Sequence, residues 1–181
     1  MHMARLNQTT DQSLAIALQQ GDLDSLTQIM KKYHSPLLRY ANYLGAGAND
    51  EDVVQETFIK VYKNIQGYDP SKAFSSWIYR IAHNTTISMI RKNKFSIPWA
   101  EYLDNFVSQD PVDNIDKDLK KEQVEKCIDK LPLYYKAPLA LYYMEDKNYE
   151  EIMDILRLPR GTVAARINRA KKQMRNLCQK N

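Results

Sequence analysis

The chain has 181 residues, 44% hydrophobic and 27% charged, with five glycines against twelve tyrosines, a composition that excludes collagen-like and disordered chains and favours packed helices over a β-rich fold. The formal net charge of +4 is too small to identify a partner, so the distribution of charge has to do so. No run approaches the roughly 20 apolar residues of a membrane span, and the N-terminus carries no basic-then-apolar signal region, which sets the expectation of a cytoplasmic protein without membrane insertion.

In chain order, Leu26, Ile29, Met30, Tyr33, Leu37, Ala41 and Leu44 recur at steps of mostly three and four, the pattern of a buried helical stripe. Pro36 is expected to start a new turn or to kink that helix. After the break at Gly45-Ala46-Gly47, Asn49 can cap a helix whose first turn holds Asp50, Glu51 and Asp52, where carboxylates meet the positive end of the dipole. Val54, Phe58, Val61, Tyr62 and Ile65 form its expected apolar face. Asp52, Gln55, Glu56 and Lys60 then fall largely on other faces and make a polar, acidic surface near the helix start. Periodicity alone favours an ordinary solvated face over a docking site for that surface.

A turn around Gly67 to Pro70 leads into a third long helix, Phe74 to Lys92. Here Phe74, Trp77 and Tyr79 lie near Arg80 and Asn84, and no acid occurs between Pro70 and Ala100. Aromatic rings stack on unpaired bases and cations meet phosphates, so this is the composition of a single-strand-binding surface. Trp77 fits a place in the core as well.

Charge reverses from Ser96 to Asp118, where Glu101, Asp104, Asp110, Asp113, Asp116 and Asp118 face the single base Lys117. Broken by Pro98 and Pro111 and without an apolar period, residues 96–120 read as an acidic linker. The expected organisation is an extension over 1–12, a helical domain over 13–95, the linker, and a second helical domain over 121–181.

In the second domain Val124, Cys127, Ile128 and Leu131 form an amphipathic stretch ended by Leu131-Pro132, and Leu139, Leu141 and Tyr142 belong to another. Asn148 followed by Glu151 is a capping box before a short helix with Ile152, Ile155 and Leu156, which Arg157-Leu158-Pro159 breaks. Val163, Ile167, Ala170, Met174 and Leu177 then mark the stripe of a longer helix. From Arg157 to the C-terminus there are eight bases and no acid. A short helix, a tight turn and a longer basic helix is the helix-turn-helix plan, in which the N-terminal residues of the second helix meet base edges in the major groove. Arg160, Thr162, Arg166 and Arg169 are the expected DNA contacts, Arg being able to bond guanine through two donors. Cys127 and Cys178 sit among apolar residues and are expected to be buried free thiols.

Nothing points to catalysis. No Gly-rich phosphate loop follows a strand, no Cys and His cluster has metal spacing, and His34 and His83 stand alone. No catalytic residue, metal or cofactor is assigned.

The run Asp50-Glu51-Asp52-Val53-Val54-Gln55-Glu56-Thr57-Phe58-Ile59-Lys60-Val61-Tyr62, followed by Phe74-Ser75-Ser76-Trp77-Ile78-Tyr79-Arg80-Ile81-Ala82-His83-Asn84, resembles region 2 of extracytoplasmic-function sigma factors of bacterial RNA polymerase. Leu131-Pro132, Asn148-Tyr149-Glu150-Glu151-Ile152, Gly161-Thr162-Val163 and Arg169-Ala170 are similar to region 4 of the same family, and the likeness covers residues 13 to 178 or so. It implies an all-α protein of two small domains that binds core RNA polymerase and promoter DNA. Asp52, Gln55 and Glu56 would dock on the polymerase clamp helices. Lys60, Asn64, Tyr68, Arg80, Ile81 and Asn84 would hold the melted minus-10 element with Trp77, and the second domain would read the minus-35 duplex. An anti-sigma partner is implied as well. Three positions depart from the family: Ser88 where Asp is usual, which bears on the support of Arg91, Arg157 where Gly is common, which predicts a turn without a left-handed Gly, and Ala164 where Lys is frequent, which predicts a lost phosphate contact. Two other classes fit parts of the pattern: a stand-alone helix-turn-helix regulator, which has no reason to carry the first domain, and a protein-binding helical scaffold whose basic tail is merely solvated, which would show no salt-dependent affinity for DNA.

Overall fold

A computed structural model of the chain describes residues 10–93, 125 and 127–178; the linker expected over 96–120 lies outside them. Among the described residues the fold is all-α, without a strand. Helix α1 is Asp11–Gln19, α2 Leu23–Leu44, α3 Asp50–Asn64 and α4 Phe74–Asn93, followed by α5 Leu133–Tyr143, α6 Tyr149–Leu156 and α7 Arg160–Cys178. Short 3-10 turns at Gly47–Asn49, Ile65–Gly67 and Ile128–Lys130 join them.

Local chemistry sets the boundaries. Thr10 accepts the Ser13 amide at 3.2 Å to start α1, and Asp22 accepts the Asp24 amide at 3.0 Å to start α2. Gly45, at φ 94°, ends α2 in the left-handed conformation that glycine adopts without a Cβ clash. Pro36 neither starts nor ends a helix, because α2 runs through it; burial of Tyr33, Leu37, Tyr40 and Leu44 on one face outweighs the hydrogen bond that proline forgoes. Asn49 does not cap α3 with its side chain, which donates to the Ala46 carbonyl at 3.3 Å instead.

In the first domain α1 packs on α2, α2 on α3 and α3 on α4. Leu14, Leu18, Ile29, Leu37, Val54, Phe58, Val61, Phe74 and Ile78 fill the space between them. Gln19 of α1 donates to the carbonyls of Ile65 and Tyr68 at 2.8 and 2.9 Å, tying the first helix to the turn before α4. Two residues expected in this core are outside it: Met30 is 41% exposed and Tyr62 52%. Each lies at the edge of its apolar stripe, where the neighbouring helices already cover Ile29 and Val61 completely.

The second domain packs α5 on α7 and α6 on both, with Ile152, Ile155, Val163, Ile167, Ala170 and Met174 buried between them. The two domains also pack on each other, α4 against α6 and α2 against α5, so that one continuous apolar core runs from Leu14 to Met174. Cys127 is buried as expected but is disulfide-bonded, not the free thiol the sequence suggested; the Cys178 side chain lies outside the described residues.

The capping box is formed: Asn148 accepts the Glu151 amide at 2.9 Å, and Glu151 accepts the Asn148 amide at 3.0 Å. After α6 the turn has no left-handed glycine, as expected, and Arg157 itself takes the left-handed conformation at φ 55°, ψ 44°. A side chain in that region costs about 1–2 kcal/mol, which glycine avoids at the expense of greater freedom in the unfolded chain. Arg157→Gly should therefore stabilise the protein by about 0.5–1 kcal/mol, visible as a higher urea midpoint with an unchanged slope.

His83, fully enclosed on α4, has its Nδ1 2.9 Å from the Tyr40 hydroxyl. Burial, reinforced by the Arg91 charge, pushes its pKa down to about 4. The unfolded chain takes up a proton near pH 6.5 that the folded chain refuses until about 4, so stability is full above 6.5 and falls as pH drops between those values, by about 3 kcal/mol in all. Urea titrations from pH 7 to 4 should show that slope, and His83→Gln should flatten it.

Candidate nucleic-acid interface

Trp77, Arg80, Ile81 and Asn84 are separated by three, one and three residues and share one face of α4. The orientation of that face follows from the aromatic packing behind it. Phe74 meets Tyr33 at 5.9 Å and Tyr68 at 5.3 Å, and Tyr79 meets Tyr40 at 5.6 Å, all edge to face. With these rings inward, Trp77 is left half-buried, its ring 5.3 Å from Tyr68 and 5.7 Å from Phe74. Ile81 is half-buried and Asn84 exposed.

Helix α3 contributes two more of the expected residues to the same side. The Lys60 ammonium donates to the Thr85 hydroxyl at 3.1 Å and lies 3.5 Å from Glu56, which brings it beside Asn84. Asn64, exposed one turn further on, donates to the Lys60 carbonyl at 2.8 Å. Tyr68 is placed differently. It is 3% exposed, its hydroxyl donates to the Lys72 carbonyl at 2.6 Å, and its ring backs Trp77 instead of facing outward.

Arg80 does not point to solvent either. Its guanidinium forms an ion pair with Asp154 of α6 at 2.5 Å, and its Nε donates to the Asp154 carbonyl at 2.9 Å. Loss of water lowers the Arg80 pKa, the Asp154 carboxylate partly offsets that, and the nearby Arg157 adds to it. Arg80 stays charged at any physiological pH.

In the second domain, Val163, Ile167 and Ala170 face the core and thereby turn Thr162, Arg166 and Arg169 to the other side of α7, all three half-buried. Arg166 lies 5.9 Å from the Tyr134 ring. At the helix start Arg160 is mostly exposed, pairs with Glu150 at 2.8 Å and lies 5.9 Å from the Tyr149 ring. Ala164 is 2% exposed, so its small side chain belongs to the packing and its place on α7 offers no surface from which a lysine could meet phosphate.

A third surface runs along α3. Asp52 and Gln55 are exposed and Glu56 is half-buried, as expected of a polar face. Ile59 and Tyr62 continue it, 46% and 52% exposed. Ile59 was not singled out in the sequence and Tyr62 was expected on the buried face, although their steps of three from Glu56 and from Ile59 carry the exposed stripe straight through them. The result is an acidic patch running into an apolar one, which suits a protein partner better than a polyanion.

Comparison with known proteins bears on all three surfaces. Residues 29–96 match the model of sigma-70 region 2, and residues 121–174 that of sigma-70 region 4. The chain is 32% identical over 173 residues to the ECF RNA polymerase sigma factor SigW of Bacillus subtilis, covering 87% of this chain and 91% of SigW. It is 31% identical over 183 residues to the ECF RNA polymerase sigma-E factor of Haemophilus influenzae, covering 95% and 97%. Among solved structures, CnrH in complex with the cytosolic domain of CnrY shares the fold with a TM-score of 0.72 at 22% identity, over 94% of this chain and 98% of that one. RpoE of Bartonella quintana in complex with the anti-sigma factor NepR does so with a TM-score of 0.64 at 20% identity, over 84% and 96%.

Proposed function

The chain belongs to the extracytoplasmic-function class of sigma-70 family RNA polymerase sigma factors, and from that premise we propose how its three surfaces divide the work of promoter recognition. As a sigma factor it joins core RNA polymerase and directs initiation at particular promoters, recognising and opening the minus-10 element and reading the minus-35 element. Residues 13–95 carry the polymerase and minus-10 functions and residues 121–181 the minus-35 function, with 96–120 as the connection between them.

Polymerase docks along α3, on Asp52, Gln55 and Glu56, and Ile59 and Tyr62 add the apolar contact that gives such a polar patch affinity. The melted strand lies on α4 and the adjoining part of α3. Trp77 offers a ring for stacking, Lys60 and Arg80 meet phosphate, and Asn64 and Asn84 offer hydrogen bonds to base edges. Ile81 supplies an apolar wall, and Tyr68 acts from behind by holding Trp77. On α7, Arg160, Thr162, Arg166 and Arg169 enter the major groove of the upstream element. Each DNA surface alone is small; bound to polymerase they act as one ligand, so weak contacts combine through effective concentration.

The reading rests on one observation above all: a single chain carries a cationic and aromatic helix face and a helix-turn-helix with an acid-free second helix, in the order of the family. Its place of work is the cytoplasm, and among the described residues no helix is long and apolar enough to cross a membrane. The protein lends recognition to a reaction whose chemistry the polymerase performs, so it has no catalytic residue and no cofactor of its own. We propose an anti-sigma partner as well, as RpoE of Bartonella quintana has in NepR.

Run-off transcription with purified core polymerase on a pool of promoter fragments tests the reading: transcripts that depend on the added protein are expected, whereas their absence together with tight operator binding by the protein alone would establish a stand-alone regulator. Within that assay Arg166→Ala should weaken use of the upstream element by roughly 1–3 kcal/mol if its contact is a bidentate one to guanine, read as a loss of holoenzyme affinity for the promoter. Tyr62→Asp should lower affinity for core polymerase at least tenfold, about 1.4 kcal/mol, in a direct binding titration, with the helical circular dichroism of the protein unchanged.

A further inference from the structure

All three helices of the second domain converge on the guanidinium of Arg160, at the start of α7. From α6, the Glu150 carboxylate accepts from Arg160 Nη1 at 2.8 Å. The Tyr149 ring of the same helix has its centroid 5.9 Å from the guanidinium carbon, within cation–π reach. Helix α5 braces that ring through Tyr142, 5.6 Å away with the two planes 36° apart. Helix α6 does not depend on Glu150 for its own start, because Asn148 and Glu151 make the capping box. Helix α7 carries no acid, so this carboxylate reaches its reading residues only because the fold lays α6 alongside.

We infer that Glu150 is a specificity-determining positioning residue of promoter recognition: together with Tyr149 it holds the Arg160 side chain toward one guanine of the upstream element. The inference rests on the assignment of α7 to that duplex. An unsupported arginine samples many rotamers, and any phosphate satisfies its charge without regard to sequence. Glu150 occupies one hydrogen of Nη1, and the remaining donors of the fork still suffice for O6 and N7 of guanine. A guanidinium fixed on one side by a carboxylate and beside a ring loses less freedom when it meets the base, so more of the contact appears as affinity for the correct sequence.

Charge supports the same role. Attraction to phosphate dominates DNA binding whatever the sequence, and a carboxylate within hydrogen-bond distance of a reading arginine opposes it. Glu150 thereby lowers affinity for every duplex and enlarges the difference between the right base pair and the wrong one. Stability does not account for the pair. The Arg160 and Glu150 side chains are 62% and 67% exposed, and an ion pair so open to water contributes little to folding. What it changes is the arrangement of Arg160.

The test uses the full chain bound to core polymerase, on a promoter found in the run-off assay and on fragments in which each base pair of its upstream element is replaced in turn. Arg160→Ala should abolish the preference at one guanine-bearing base pair, which identifies the pair that Arg160 reads. Glu150→Ala should reduce the preference at that same pair from about tenfold to about threefold, within the range of a bidentate guanine contact, and leave the other positions unchanged. Glu150→Gln, which keeps an acceptor oxygen without the charge, should retain most of the preference and bind all fragments more tightly. The double variant Glu150→Ala, Arg160→Ala should show the same base preference as Arg160→Ala alone, because Glu150 acts through Arg160. An intact preference at that pair in Glu150→Ala, an equal loss at every pair, or a loss as complete in Glu150→Gln as in Glu150→Ala overturns the positioning role. Arg160→Ala with every base preference intact overturns it too. Each of these results leaves the sigma-factor assignment standing, which only failure of the unaltered protein to support initiation counts against.

Discussion

The face of α4 that carries Trp77, Arg80, Ile81 and Asn84 depends on the rotation of that helix about its own axis, and the aromatic packing behind it sets that rotation. Phe74 is enclosed by Tyr33, Tyr68 and Trp77, while Tyr79 and His83 are held against Tyr40. Phe74 and Tyr40 are 1% and 0% exposed, and full burial of one such ring is worth about 1.5–3 kcal/mol. Edge-to-face geometry adds direction to that energy. A turn of α4 by one residue would withdraw Phe74 and Tyr79 from their neighbours, so the face bearing Trp77, Arg80, Ile81 and Asn84 can point only one way.

The same helix explains how the domains come to lie together. Its outward face is cationic and rich in donors, and α6 offers carboxylates at matching heights. Aliphatic packing between α2 and α5 supplies the apolar part of the seam. Ionic contacts at a partly solvated interface are individually weak and screened by salt. Helix α7 serves a different partner. Its inward stripe of Val163, Ile167, Ala170 and Met174 holds it on the domain, and most of its bases lie on the remaining faces.

Much of this was legible in the residues. The helical periods located α2, α3, α4 and α7, the Asn148–Glu151 box located the start of α6, and the run of bases without acids after Leu156 marked the second helix of the helix-turn-helix. Local chemistry carries those signals, and local chemistry decided them. The errors have a different origin. Met30 and Tyr62 sit at the edges of their stripes, where periodicity admits either side, and only the neighbouring helix determines which is covered. Asn49 has the chemistry of a cap, yet its side chain found the Ala46 carbonyl. At Arg157 the turn lacks a left-handed glycine, as expected, and what the sequence did not show is that the arginine would take that conformation itself. The link from α6 to α7 demands that conformation whatever the residue, and Arg157 adopts it.

By itself the sequence determined most of the helices and the helix-turn-helix, because these rest on local spacing and on the chemistry of single side chains, and its likeness to sigma factors pointed to the family. Tertiary structure alone decided that Tyr68 is a buried support, that Ile59 and Tyr62 extend an exposed face, and that Arg80 is engaged by Asp154. Arg80 and Asp154 meet although they stand 74 positions apart in the chain, and no local period encodes the partner that a surface will find at that distance.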